Sequence, residues 1–345
     1  MINQFFKNNV LRVRAIGLLL AVSMLISNIS FAKANEAATD PNEPFNPGDM
    51  IMHHILDSHV WHFWDGHYGT VYLPIIVYSE ERGLEVFSSS NFFDEEHNTI
   101  PYNGYVLEHE HIMLENGAKV YDFSITKNVA ALFMNAIAML LIFTAVARGF
   151  KKNEGKAPKG IQSLFEPIII YIRDEVIKPN IGHGYEKYVP YLLSLFFFIW
   201  FGNLFGLMPG AANLTGNISV TFTLAIFTFF ITNVSGNANY WKHIFWTPGV
   251  PLPLRLIILP VEIIGVITKP ISLMIRLFVA ISAGHIVILS LIGMAFIFHS
   301  YAVGFGSSLV LVFINIIELL VATIQAYVFT IFTAVYIGMA TEEAH

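Results

Sequence analysis

The chain has 345 residues, of which 55% are hydrophobic and only 13% are charged. Soluble domains carry about 25% charged residues, so this composition excludes an ordinary soluble domain and predicts a polytopic membrane protein. The net charge of −6 argues against nucleic acid as a partner, and the absence of cysteine excludes disulfides and thiolate metal sites.

Residues 1–34 are typical of a secretory signal peptide. A positive region with Lys7, Arg12 and Arg14 precedes an apolar core, and Ala32-Lys33-Ala34 then offers a small-x-small cleavage site. Cleavage there would place the mature N-terminus outside the cytoplasm. The alternative interpretation is an uncleaved first transmembrane helix.

Residues 35–125 form the only extended polar region, and we expect a small extracytoplasmic domain or an ordered extension on the membrane surface. Two interpretations of its histidine-rich segment stay open. Histidines and aspartates at this density suggest a divalent-metal cluster, whereas the neighbouring aromatic residues favour an anchor at the membrane interface. The metal candidates are His53, His54, Asp57, His59, His62, Asp65 and His67, and the aromatic candidates are Trp61, Phe63 and Trp64. Downstream, the stretch Glu108-His109-Glu110-His111 is interpreted as solvated.

Residues 126–345 are predicted to form an all-α membrane domain of about five transmembrane helices. Its apolar spans lie near 128–148, 188–208, 218–238, 256–298 and 304–340. The last two exceed the ~20 residues that cross a bilayer upright. They must therefore tilt strongly, run along the interface for part of their length, or break.

Charge in the loops predicts the orientation of these spans. The loop Arg148-Gly-Phe-Lys-Lys-Asn-Glu-Gly-Lys-Ala-Pro-Lys159 carries five positive charges. The positive-inside rule places it in the cytoplasm, which leaves the C-terminus cytoplasmic as well. The mixed segment 160–178 is predicted to be an amphipathic helix on the cytoplasmic face. No Gly-rich phosphate loop is found, so we expect neither nucleotide hydrolysis nor a cofactor.

Arg276 stands within the long apolar span 256–298. A guanidinium at mid-span costs about 2.5–3.5 kcal/mol on insertion scales, and it cannot lose its proton to escape that cost. Such a residue is tolerated when it faces an ion path or a partner carboxylate. The alternative interpretation is a structural arginine that reaches the membrane surface.

Four isolated polar residues match in depth if the last two spans form an antiparallel hairpin that turns near Tyr301. Arg276 lies 25 residues before the turn and Gln325 lies 24 after it, while His285 lies 16 before and Glu318 lies 17 after. At 1.5 Å per residue the second pair sits about 10–14 Å nearer the outside. A histidine beside a carboxylate can relay protons, although it can also be an ion pair that only fixes packing.

Several motifs together resemble subunit a of the F-type ATP synthase, the proton-channel subunit. The run Pro270-Ile-Ser-Leu-Met-Ile-Arg-Leu-Phe with Ala283-Gly-His is similar to the signature of that family. The segment from Ile317 resembles its last helix, and Asn203-Leu-Phe-Gly-Leu-Met-Pro209 resembles the motif that closes its second span. The resemblance covers about residues 50–345.

The resemblance implies roles for these residues. Arg276 matches the arginine that faces the ionisable carboxylate of the rotating c-ring, and Gln325 matches the glutamine beside it. His285 and Glu318 match the two polar positions of the outer half-channel, with their residue types exchanged relative to some members. Asn203 and Ser272 complete the set of residues expected to serve proton translocation.

One departure from the family is that Val279-Ala280 stands where Gly-Asn is common, so the amide one turn from the arginine is missing. Candidate replacements are Ser272, Thr323 and the Asn217/Thr221 face. The family implies a non-catalytic subunit of the bacterial inner membrane. Its implied partners are the c-ring, b-type peripheral-stalk subunits, the rest of the ATP synthase and the lipid bilayer. A self-contained ion channel or transporter, with Arg276 binding an anion, is the competing interpretation.

Overall fold

The structure is a computed structural model and describes residues 57–62, 69–94, 99–108, 110–208, 211–246, 251–298 and 301–342. The predicted signal peptide 1–34 lies outside the described residues, as do His53 and His54. The chain divides into two compact units. One comprises Met1–Phe133, Phe205–Asn213 and Gly284–Leu319, and the other comprises Met134–Leu204, Leu214–Ala283 and Leu320–His345.

The described part of the polar region contains seven short strands, which were not predicted from the sequence. They are β1 (Val60–His62), β2 (Thr70–Tyr72), β3 (Pro74–Ser79), β4 (Gly83–Ser88), β5 (Tyr105–Glu108), β6 (His111–Leu114) and β7 (Val120–Asp122). All of their pairings are antiparallel. β1 pairs with β2, β3 lies between β4 and β7 and pairs with both, and β5 pairs with β6.

One face of the three-stranded sheet builds the core of this β-rich domain. Ile75 and Val77 alternate along β3 and are fully buried, as strand geometry requires for residues on one face. They belong to one apolar cluster with Phe92, Tyr105, Ile112 and Leu114.

The membrane domain is helical, as predicted. Its helices are α1 (Lys127–Lys152), α2 (Ile161–Tyr171), α3 (Lys178–Ile181), α4 (Val189–Gly206), α5 (Ile218–Val234), α6 (Ala238–Phe245), α7 (Leu252–Phe298) and α8 (Tyr301–Thr341). Four of them are long and apolar enough to cross a membrane. The count becomes five if α5 and α6, which are bent by 103° relative to each other, form one span. The predicted mostly helical, polytopic architecture is therefore confirmed.

The predicted amphipathic segment 160–178 is helical but not uniform. A π-helical stretch, Ile172–Ile177, joins α2 to α3. Helix α3, which begins at the last residue of this segment, lies close to α8. A methyl group on Gly338 would lie 1.9 Å from the carbonyl oxygen of Asn180, so only glycine permits this approach of the two backbones.

The two long spans follow one another almost without a connection. α7 is a single helix of 47 residues that contains Pro260 and Pro270. A long span was predicted to tilt strongly, to run along the interface for part of its length, or to break, and the continuous helix excludes the break for α7. At 1.5 Å per residue it is about 70 Å long, more than twice the hydrocarbon thickness of a bilayer. It ends at Phe298 and α8 begins at Tyr301, which confirms the predicted position of the turn.

The start of α1 is tied to the first described residues of the β-rich domain. The Asp57 carboxylate accepts hydrogen bonds from the Thr126 hydroxyl at 2.8 Å and from the Asn128 backbone N–H at 3.1 Å. The Lys127 N–H donates to the Ser58 carbonyl at 2.9 Å. Asp57 thus satisfies a free N–H at the N-terminus of a helix, where a carboxylate also interacts favourably with the helix dipole.

Candidate functional site

Arg276 lies in α7 between buried and exposed positions. Its neighbours Leu273 and Leu277 are buried, whereas Ile275 and Val279 are about half exposed. The guanidinium carbon lies 4.3 Å from the centroid of the Phe332 ring on α8, a cation–π arrangement. Its Nη1 atom is buried and has no hydrogen-bond partner among the described residues. A ring face replaces only part of the hydration that a buried guanidinium loses.

Gln325 does not pair with Arg276 in this structure. Its Oε1 atom is buried and also lacks a hydrogen-bond partner among the residues that the structure describes. Arg276 instead contacts Phe332, seven residues further along α8. Seven residues are about two turns, so Gln325 and Phe332 share one helix face.

His285 and Glu318 are brought together as their depth match predicts. The His285 Nε2 atom lies 3.8 Å from the Glu318 Oε1 atom. The Glu318 side chain is only 3% exposed and that of His285 is 23% exposed. The separation exceeds hydrogen-bond distance. Both carboxylate oxygens and Nε2 are buried without a hydrogen-bond partner in the described part of the chain.

Gly284 makes room for this carboxylate. A methyl group on Gly284 would lie 2.6 Å from Glu318 Oε1 and 3.0 Å from its Cδ atom, closer than non-bonded atoms approach. The Gly284-His285 pair is visible in the sequence. That Gly284 makes room for a carboxylate could not be predicted from it, because this depends on which residue of the other helix faces position 284. The side chain at position 318 therefore reaches its place only if position 284 has no side chain.

Asn203 is a structural clip. Its Nδ2 atom donates to the Ala322 carbonyl of α8 at 3.0 Å, and its Oδ1 atom accepts from the Thr215 hydroxyl at 2.7 Å. Asn203 is 1% exposed and Thr215 is fully buried. The amide is thus used at both ends to hold α8 against the residues that follow α4.

Ser272, another residue predicted to serve proton translocation, is exposed on α7.

A second polar region on α7 was missed by the sequence analysis. Glu262, Lys269 and Arg276 follow one another at intervals of seven residues, which places them on one helix face. Lys269 Nζ lies 5.4 Å from the centroid of the Tyr336 ring, and Glu262 Oε1 lies 4.0 Å from His243 Nδ1. Two charges within a predicted apolar span were the available signal. A small pocket beside them is lined by Thr228, Phe229, Thr232, Asn233, Tyr240, Val266, Lys269, Pro270 and Tyr336.

In the histidine-rich segment, Trp61 differs from its predicted role as an interface anchor. Trp61, a predicted interface anchor, is 7% exposed and belongs to a buried cluster with Leu73, Ala131 and Ala212. Its indole is buried because strand β1 turns it toward the start of α1. No group of three or more His, Asp or Glu side chains could hold a metal among the described residues, and His53, His54, Asp65 and His67 lie outside them.

His59 is instead a buried partner of two carboxylates. Its Nε2 atom lies 3.1 Å from Asp122 Oδ2, and its Nδ1 atom lies 3.8 Å from Glu110 Oε2. Burial lowers the pKa of His59, but the contacts with Asp122 and Glu110 outweigh it and raise the pKa to about 9. Glu110, which has a positive φ of 64°, comes from the stretch interpreted as solvated, and its contact with His59 corrects that interpretation.

Comparison with known proteins identifies the family. The family model described as ATP synthase A chain matches residues 132–338. ATP synthase subunit a 2 of Chlorobaculum tepidum is 41% identical over 317 residues, which cover 90% of this chain and 77% of that protein. ATP synthase subunit a of Pelodictyon phaeoclathratiforme is 37% identical over 361 residues, which cover 96% of this chain and 94% of that protein. This chain belongs to the ATP synthase A chain family.

Membership confirms the resemblance drawn from the sequence motifs. As a member of the ATP synthase A chain family, the chain is a proton-translocating, non-catalytic subunit of the membrane sector. It spans the membrane several times and forms a complex with other ATP synthase subunits. A second family model, described as a domain of unknown function (DUF8433), matches residues 50–131, the segment that contains the β-rich domain.

Proposed function

We propose that this subunit carries protons through two offset half-channels and that Arg276 separates them. The observation that supports this role is the buried Nη1 atom of Arg276, which has no hydrogen-bond partner among the described residues. A fixed cation of this kind attracts an ionised carboxylate and repels hydronium. The matching anion is a carboxylate on a neighbouring c-subunit ring, which passes the arginine in its ionised form.

The outer half-channel delivers protons through Glu318 and His285. The two side chains are 3.8 Å apart, so a small displacement forms or breaks a direct hydrogen bond between them. Both groups can hold a proton, and one of them is almost completely buried. Gly284 and Asn203 are positioning residues here, because one makes room for Glu318 and the other anchors α8. Gln325 and Ser272 line the path near Arg276.

The inner half-channel runs along the α7 face that carries Glu262 and Lys269. Charged side chains inside a transmembrane segment are costly and are retained where they face water or an ion path. The pocket beside Lys269 also contains hydroxyl groups of Thr228, Thr232 and Tyr240, which can order water. This face leads toward Arg276 from the cytoplasmic side in the orientation predicted from loop charge.

The cellular setting follows from the same orientation. We propose a bacterial inner-membrane subunit with a cleaved signal peptide, an extracytoplasmic β-rich domain and a cytoplasmic C-terminus, held beside the c-ring by b-type stalk subunits. The positive side chains of the loop from Arg148 to Lys159 are exposed, as expected for a cytoplasmic loop. N-terminal sequencing of the assembled complex tests the cleavage, since a retained Met1 contradicts it.

Membrane vesicles that contain the whole ATP synthase test the role of Arg276. Arg276→Ala should abolish proton-driven ATP synthesis, and Arg276→Lys should be poor because an ammonium lacks the planar fork and can be deprotonated in a dry site. Arg173→Ala is the control, since it removes an arginine that pairs with the adjacent Asp174 in a half-exposed position. Normal synthesis by an assembled Arg276→Ala complex would overturn the proposal.

A further inference from the structure

One face of the three-stranded sheet in the β-rich domain carries apolar side chains that no described residue covers. Leu84, Val86 and Phe123 are each about two-thirds exposed, and Tyr78 and Tyr121 are about two-fifths exposed. The opposite face of the same sheet carries the buried core residues of the domain. Uncovered apolar groups in such a cluster mark an interaction site more often than scattered single residues do.

The exposed side chains form two rows across the sheet. In the first row Val86 is opposite Ile76, and the Phe123 N–H bonds to the Ile76 carbonyl at 2.8 Å. In the second row Leu84 and Tyr121 flank Tyr78 from the two sides. Strand geometry separates the rows by about 7 Å.

The first row is the one nearer the membrane-spanning helix α1. The pairing of β7 with β3 continues beyond Asp122, since the Ile125 N–H donates to the Pro74 carbonyl at 3.1 Å. Helix α1 then begins at Lys127, where Asp57 ties it to the domain. Phe123 thus lies four residues, at most about 14 Å, from a helix whose Val129 and Phe133 are themselves exposed apolar residues.

From the first row to the turn beyond the second, the exposed side chains change from apolar to tyrosine and then to charged. This is the order of environments met on passing from the acyl chains of a bilayer through the headgroups to water. The first row is purely apolar, and the second contains two tyrosines, which are enriched at the headgroup level. The exposed Lys119 lies over the Tyr121 ring, 4.8 Å from its centroid, where it can meet a lipid phosphate. The turn beyond the second row carries the exposed charged residues Glu80, Glu81 and Arg82.

We propose that this face, defined by Ile76, Tyr78, Leu84, Val86, Tyr121 and Phe123, docks on the surface of the bilayer that α1 crosses. The first row enters the boundary of the acyl chains, and the second row lies among the headgroups with Lys119 beside a phosphate. The inference rests on the membrane location of α1 and is independent of the roles proposed for Arg276, His285 and Glu318.

The absence of native cysteine makes depth measurement direct. The single substitutions Val86→Cys, Leu84→Cys and Met113→Cys are made in the full chain, and each is labelled with an environment-sensitive fluorophore within the complex reconstituted in vesicles. Met113 is the matched control, because it is an apolar residue, 44% exposed, on β6 in a different sheet. Quenchers carried on lipid acyl chains and a water-soluble quencher are compared at each site.

We expect lipid-borne quenchers to reduce the signal most at position 86, less at position 84 and not at position 113. The water-soluble quencher should show the reverse order. If the label at position 86 is reached only from water, the face is free and the proposal is wrong. If it is shielded from both quenchers, a protein surface covers the face, and the proposal is equally overturned. ATP synthesis by the labelled complex is a check on assembly and does not depend on either outcome.

Discussion

His285 Nε2 and Glu318 Oε1 lie 3.8 Å apart across the two longest helices, and neither atom has a hydrogen-bond partner among the described residues. Loss of either side chain strands the other in a buried position. We therefore expect His285→Ala and Glu318→Ala each to slow proton uptake. The exchange of the two residues, His285→Glu with Glu318→His, should recover part of the rate.

ATP-driven acidification of inverted vesicles measures this coupling in a double-mutant cycle. Residues that act as one unit show an interaction of about 0.5–3 kcal/mol beyond the sum of the single effects. If the exchange is no better than that sum, the two residues do not work as a pair.

Gly284→Ala should impair the same step without removing any polar group. The added methyl group would lie 2.6 Å from Glu318 Oε1, so the carboxylate must move away from His285. Overpacking of this kind costs about 1–3 kcal/mol. Gly265→Ala on the same helix is the control, because a methyl group there has no atom within 4 Å. Equal ATP synthesis rates in the two variants would contradict this role of Gly284.

Asn203→Ala should lower stability more than it alters the proton path. It leaves the buried Thr215 hydroxyl without its acceptor and removes the clip to the Ala322 carbonyl, a loss of about 1–3 kcal/mol. Thr215→Val removes only one of the two hydrogen bonds and should cost less. Thermal unfolding of the purified subunit ranks the variants. A wild-type melting temperature for Asn203→Ala would show that the clip contributes nothing.

The ion pair of His59 gives the β-rich domain a defined pH dependence. The pKa of His59 is about 9 in the folded chain against 6.5 for a free side chain, because Asp122 and Glu110 outweigh the effect of burial. A raised pKa contributes stability that is fully present below about pH 6.5 and is lost as the pH rises through about 9. Amide hydrogen exchange in β1 and β7, corrected for intrinsic rates, should therefore accelerate between pH 7 and pH 9.5.

His59→Gln should remove most of that pH dependence and cost about 1–3 kcal/mol at neutral pH. His111→Gln replaces an exposed histidine of the same domain and is the matched control. The same pH profile in wild type and His59→Gln would exclude His59 as its source. Below about pH 4 a separate loss of stability is expected. Burial raises the pKa of Asp122, but its hydrogen bonds with His59 and Ser124 outweigh burial and hold that pKa below its usual value, so stability is lost when the carboxylate is protonated.

Simple counting along the sequence predicted the His285–Glu318 contact, because helical rise is uniform and only two residues separate α7 from α8. The same counting did not predict where the Arg276 side chain points. The arginine side chain is long enough to contact residues at several levels of the neighbouring helix, and in this structure it contacts Phe332. Residue counting fixes backbone levels, whereas side-chain contacts depend on packing.

Other features could not be derived from the sequence for specific reasons. The burial of Trp61 depends on residues as distant as Ala212, and no local pattern encodes that contact. The strands were missed because they are only three to six residues long and β4 exposes its apolar side chains, Leu84 and Val86. Glu262 and Lys269, in contrast, were visible in the sequence as charges at seven-residue intervals before Arg276.

The chain enters the described part of the β-rich domain at Asp57 and leaves it at Thr126, and the side chains of these two residues are hydrogen-bonded at 2.8 Å. The described part of the domain is therefore closed, with its two ends joined at the start of α1. A segment closed in this way can vary between Asp57 and Thr126 without moving the helix that follows, because the hydrogen bond already holds these two residues together. The boundary between the two family matches, at residues 131 and 132, falls one turn beyond this junction.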